Sequence, residues 1–174
     1  MNYMKVLIVV DMQKDFVDGS LGTKEAQAIV PLVAETIEQM AAPDTVVIFT
    51  KDTHPDNYMS TLEGKNLPVP HCIKGTAGHS IVDEVFNAYI KVISNYANSY
   101  DVYPMADWNP IRIEKPTFGS MELIEYLRDI VQKDNGFSEN GTMTFIPKNP
   151  AIIMGTVRVK KLWRRDAPSI AAAS

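Results

Sequence analysis

Two of the three histidines in this chain stand where one divalent ion could use both of them. Asp52 and His54 form an Asp-x-His pair at the end of an apolar run, and His71 returns from the segment that follows. Side chains two residues apart on a strand point to the same face, so Asp52 and His54 converge. A third donor from His71 gives two imidazoles and one carboxylate with a coordination position left open, the ligand set of a catalytic zinc. Spacing alone leaves a second reading open, in which a loop histidine is simply hydrogen-bonded to a nearby carboxylate. His79 lies a short way further along and adds another imidazole to the stretch.

These side chains need a scaffold, and the apolar runs around them describe one. Lys5-Val6-Leu7-Ile8-Val9-Val10 is continuously apolar and mostly β-branched after its first residue, which predicts a strand buried on both faces and so a parallel sheet. It ends at Asp11. From Ile29 to Met40 the apolar residues Val30, Val33, Ile37 and Met40 recur at helical spacing, with Pro31 acceptable in a first turn. Thr45 to Thr50 predicts a second buried strand, and it ends at Lys51-Asp52 just as the first ends at Asp11. Both strands thus carry polar groups at their carboxyl ends, the edge where ligands bind in open α/β sheets.

The stretch from Pro55 to about Pro110 is rich in loops, a lid candidate, with a short helix around Ile81 to Ile90 in which Ile81, Val82, Val85, Phe86 and Ile90 share a face. Ile111 to Lys115 predicts a third strand. Ser120 then caps a helix with an apolar stripe of Leu123, Ile124, Leu127, Ile130 and Val131. Right-handed crossovers turn this β-α-β-loop-β-α order into half of a doubly wound sheet.

At 174 residues and 45% hydrophobic content the chain is sized for one domain with a core. No stretch approaches the roughly 20 apolar residues of a membrane span, and Met1 to Asp11 does not read as a signal peptide, so a cytoplasmic location is expected. A single cysteine, Cys72, excludes an internal disulfide and suits a reducing compartment. The net charge of -4 argues against nucleic acid but hides a split. Residues 1–132 carry 18 acidic and 10 basic side chains, net -8, whereas residues 133–174 carry 3 and 7, net +4. Arg158, Lys160, Lys161, Arg164 and Arg165 around Trp163 could follow a phosphate backbone, although a solvated end is the expected reading.

Four ordered motifs carry a resemblance. They are Val10-Asp11-Met12-Gln13-Lys14-Asp15-Phe16, Thr50-Lys51-Asp52-Thr53-His54-Pro55, Pro70-His71-Cys72-Ile73-Lys74-Gly75-Thr76 and Glu114-Lys115-Pro116-Thr117-Phe118-Gly119-Ser120. Together they resemble the isochorismatase-like cysteine hydrolases, most of all their nicotinamidase branch, over about 120 residues. The resemblance implies an α/β, Rossmann-like three-layer fold around a six-stranded parallel sheet, and amide hydrolysis through a thioester on a cysteine. It implies Asp11 as general base, Lys115 as the partner lysine, and Asp52, His54 and His71 as ligands of a divalent metal, zinc first. A thiol nucleophile needs a base for its proton and a cation that favours the thiolate, and Asp11 and Lys115 have the right chemistry. Phe16 would offer a stacking surface to a ring such as that of nicotinamide. On residue types alone, Asp11 also reads as a strand-end cap and Lys115 as a surface charge paired with Glu114.

The family's nucleophile follows its fourth strand, and this chain has no cysteine after Cys72, which sits inside the metal-loop motif. Attack by Cys72 would require that loop to fold back toward Lys115. Past about Gln132 the pattern departs further: Lys133 to Asn140 is polar, Pro147 and Pro150 interrupt the next run, and Ala151 to Gly155 is the strand candidate. The expectation is therefore an isochorismatase-like domain over residues 1–132, with its sheet missing or altered in the C-terminal half. Residues 133–174 would form a divergent basic tail, consistent with a changed reading frame or a replaced C-terminus. Without a fourth strand the first strand becomes an open edge, which pairing into a homo-oligomer would cover. The function expected is a nicotinamidase-like amidohydrolase acting on a small amide, with no nucleophile and so negligible thioester turnover. The alternative is a non-catalytic metal- or ligand-binding protein, or a truncated gene product.

Overall fold

The computed structural model describes residues 5–42, 45–99, 110–117, 119–133, 141–146 and 155–159. Its elements are β1 (Lys5–Val10), α1 (Lys14–Val17), α2 (Lys24–Met40), β2 (Thr45–Asp52), a 3-10 turn (Tyr58–Ser60), α3 (Leu62–Asn66), α4 (Asp83–Ser99), β3 (Ile111–Lys115), α5 (Met121–Lys133), β4 (Gly141–Ile146) and β5 (Gly155–Val159). The strands form one sheet in the order β3-β2-β1-β4-β5. β3, β2, β1 and β4 run parallel, and β5 returns antiparallel to β4.

Alternation along β1 and β2 sorts their side chains onto two faces. Leu7, Val9, Val47 and Phe49 meet Val30, Val33 and Ile37 of α2 and Val85, Tyr89 and Val92 of α4. Val6, Ile8, Ile48 and Ile113 face the other way, where Leu123, Tyr126 and Leu127 of α5 pack against them. This is a helix-sheet-helix sandwich, as the doubly apolar strands require.

Several helix details differ from the sequence reading. The Thr23 hydroxyl accepts from Ala26 N at 3.0 Å, so α2 starts ahead of Ile29 and Pro31 lies inside it instead of in its first turn. α4 is longer than the segment read as Ile81 to Ile90, and its buried stripe is Val85, Ala88, Tyr89 and Val92 while Ile90 is exposed. The Ser120 cap is present, its Oγ accepting from Leu123 N at 3.1 Å, but Ile124 faces solvent and Leu127 is only partly buried.

The largest difference concerns β1. Val6 to Val9 pair on one side with β2 and on the other with Met143 to Ile146 of β4. The expected open edge is therefore filled, by a strand from the segment read as tail. Gly141-Thr-Met-Thr-Phe-Ile146 is a short alternating run rich in β-branched and aromatic residues, which suits a strand whatever surrounds it. The strand expected at Ala151 to Gly155 falls mostly outside the described residues, as do Phe118 and Lys160 to Arg165 with Trp163. Among the described residues no helix is long and apolar enough to cross a membrane.

Candidate active site

β1 delivers Asp11 to the carboxyl edge of the sheet by turning sharply there, with φ 51, a left-handed conformation that Asp tolerates better than most residues. Asp11 N donates to Thr50 O and to Thr50 Oγ1, each at 3.2 Å. Thr50 Oγ1 in turn donates to Asp11 Oδ1 at 2.7 Å, which leaves Oδ2 to face Lys115 Nζ, also at 2.7 Å. Lys115 closes β3 directly opposite Asp52, the last residue of β2, and its Nζ is 3.8 Å from Asp52 Oδ1. All three are buried.

Asp52 belongs to a second group as well. One donor atom each from Asp52, His54 and His71 lie within 4.8 Å of one another. Asp52 Oδ2 is 3.1 Å from His54 Nε2 and 3.5 Å from His71 Nε2. His71 Nδ1 donates to Val69 O at 2.8 Å, so its Nε2 carries the free lone pair, the arrangement common for a metal-bound histidine. His54 N donates to Cys72 O and Lys74 N donates to His54 O, a short parallel bridge that laces the His71 loop to the end of β2. Tyr58 packs its ring against both imidazoles, at 4.7 and 5.0 Å between centroids, and anchors its hydroxyl on Leu67 O. Burial, then the nearby Glu63 and Asp52, push the Tyr58 phenol above its ordinary pKa. Two imidazole nitrogens and a carboxylate oxygen on buried, braced side chains fit a three-ligand divalent metal such as zinc.

Phe16, half-buried on α1, sets its ring at 5.6 Å and 57° to His71, at the border of this group. Cys72 lies on the metal-loop side. Its φ is 46, its amide donates to Asp15 Oδ2 at 2.7 Å, and its carbonyl accepts from His54. His79 is not among the three converging donors. Its Nδ1 meets Lys51 Nζ at 3.1 Å and its Nε2 meets Thr53 Oγ1 at 2.8 Å. Burial, then the Lys51 charge, lower its pKa, while burial also lowers that of Lys51 against the pull of Glu114. A hydrogen bond from Lys74 holds the Glu114 carboxyl below its ordinary range. Lys115 therefore faces Asp11, and Glu114 takes Lys74 as its partner.

Sequence reasoning missed three contributors. Gln13 is completely buried with its amide on the main chain of Asp52, Tyr58 backs the imidazoles, and Glu63 on α3 places Oε1 3.9 Å from His54 Nε2. None has a spacing relation to the ligands, although Gln13 lies within one of the four motifs and Tyr58 is a large residue buried in the stretch expected to be rich in loops.

Comparison with known proteins points to one family. An isochorismatase domain model matches residues 5–90, which hold Asp11, Phe16, Asp52, His54 and His71. The N-terminal part of this chain matches the isochorismatase family. The isochorismatase-like part is 27% identical to the nicotinamidase of Saccharomyces cerevisiae over 114 residues, covering 50% of this chain and 52% of that protein. The chain spans about half to three-fifths of the length of the curated relatives it matches. In three dimensions it resembles a pyrazinamidase/nicotinamidase from Streptococcus mutans, with TM-score 0.59 and 26% identity over 82% of this chain and 72% of the other. A pyrazinamidase of Pyrococcus horikoshii in complex with zinc gives TM-score 0.51 and 26% identity, over 83% and 71%. With 82% of the chain covered, the structural likeness extends past residue 90.

Proposed function

We propose that this chain carries a nicotinamidase-type site that binds a divalent metal, zinc first, and a small ring amide such as nicotinamide. The observation that carries the reading is the position of Lys115, whose ammonium lies between Asp11 of the acid-base pair and Asp52 of the metal group. The two groups therefore adjoin one another, as a reaction that orients a ring and attacks its carboxamide requires. A divalent ion held by Asp52, His54 and His71 would supply a Lewis-acid point for a ring nitrogen or a water. Asp11 would accept a proton, Lys115 would favour developing negative charge, and Phe16 would border the ring.

Thioester chemistry also needs a thiol beside Asp11, and the single cysteine, Cys72, has its backbone tied to Asp15 and His54 on the metal-loop side. We therefore assign binding to this chain and negligible thioester turnover. Calorimetry with zinc on the wild type and His54→Ala, beside an assay of ammonia release from nicotinamide, tests both parts. We expect zinc binding that His54→Ala abolishes, and no ammonia above background. Absence of zinc binding overturns the metal reading. Ammonia release comparable to an intact relative, and lost in Cys72→Ser, overturns the assignment of silence.

β4 removes the open-edge reason for self-association. Homo-oligomerisation through other surfaces and a cytoplasmic setting are retained as proposals, the first tested by light scattering on the purified chain.

A further inference from the structure

Asp52 lies where β2 has outrun its neighbour. Pairing between β1 and β2 ends at Val10 and Thr50, because β1 turns away at Asp11. In a parallel strand the N–H and C=O of one residue point to the same side and those of the next residue point to the other. Thr53 N donates to Lys115 O, on the β3 side, so the amide and carbonyl of Asp52 point to the vacated β1 side. Two buried main-chain groups there would lack a strand to pair with.

The Gln13 side chain occupies that place. Its Oε1 accepts from Asp52 N at 2.7 Å, and its Nε2 donates to Asp52 O at 2.8 Å and to His79 O at 3.0 Å. Two carbonyls and one N–H fix which end of the amide is which. The carboxamide reproduces a peptide unit of β1 just beyond the point where the real chain leaves. We propose that Gln13 is a positioning residue, a surrogate strand unit that fixes the main chain under Asp52 and so aims its carboxylate at His54, His71 and Lys115.

This deepens the metal reading and rests on it. Groups that orient a ligand from behind typically change metal affinity by about 10–100-fold when lost. Glutamine is singled out by its chemistry: glutamate keeps the acceptor but sets a carboxylate against two carbonyls, methionine keeps the shape without either bond, and asparagine is one methylene short.

The test uses the full chain, with Gln13→Met and Gln13→Glu beside Val33→Ala, a core change in α2 distant from Asp52 that serves as a control for lost stability. Zinc affinity is measured by calorimetry, and amide hydrogen exchange of the segment around Asp52 is followed without metal. We expect both Gln13 variants to bind zinc at least about tenfold more weakly and to lose protection at Asp52, while Val33→Ala does neither. Wild-type zinc affinity in Gln13→Met overturns the proposal, as does equal weakening in Val33→Ala at a matched fall in melting temperature. If the wild type binds no zinc the metal reading fails instead, and the exchange arm still decides: retained protection at Asp52 in Gln13→Met rejects the clamp by itself.

Discussion

With Lys115 Nζ 2.7 Å from Asp11 Oδ2 and 3.8 Å from Asp52 Oδ1, one ammonium offsets two buried carboxylates. Removing it would strand both charges in a site from which water is largely excluded, so Lys115→Met should cost about 3–5 kcal/mol, read by urea unfolding. A loss below about 0.5 kcal/mol, typical of exposed positions, would show that the pair is solvated. His79 sets a different dependence. Burial and Lys51 hold its folded pKa below the unfolded value of about 6.5. As pH falls through that unfolded value the unfolded chain takes up a proton that the folded chain refuses, so stability drops with acidification until the folded pKa is passed. His79→Gln should flatten the urea midpoint between pH 7 and 5 relative to the wild type, with chelator present; an unchanged slope would mean that His79 does not set it. The convergence of Asp52, His54 and His71 was legible in the sequence, because strand alternation sets the first two on one face and the following loop returns the third. Gln13 was not, because a side chain that substitutes for a peptide leaves no periodic trace.

The helices and turns around the site make their own demands on single positions. Gly64 in α3 is pressed against the Tyr58 carbonyl, so a Cβ there would strike backbone and displace the 3-10 turn whose tyrosine backs His54 and His71. Gly64→Ala should destabilise by roughly 1–3 kcal/mol and weaken zinc binding in calorimetry, and normal binding would show that Tyr58 does not depend on that turn. In α2, Ile37 is fully buried, and Ile37→Ala should cost about 2–5 kcal/mol by chemical denaturation. Leu127→Ala in α5 should fall short of that, since Leu127 is only partly covered. The helical stripes were readable from period alone in their existence, and less so in their membership. Ile90 and Ile124 fit the spacing yet face solvent, while Val92 and Ile130 further along the same helices are buried.

The parallel run β3-β2-β1 was expected from doubly apolar strands, and β4 was not. It is short, threonine-rich and flanked by polar residues and prolines, and its partner β1 lies at the other end of the chain, so no local signal connects them. Ending the chain after Lys133 should strip one side of β1 and yield a protein that aggregates on size-exclusion chromatography where the full chain does not. A monodisperse, folded truncation would mean that β4 contributes nothing to the sheet. That closure has a cost in time as well as in space. Synthesis proceeds from the amino terminus at about 5–20 residues per second, so β1 and β2 leave the ribosome seconds before Gly141 to Ile146 exist to join them. Every nascent copy therefore passes through an interval with its central strand uncovered, and the yield of folded protein should respond to translation speed and chaperone supply more steeply than its final stability would suggest.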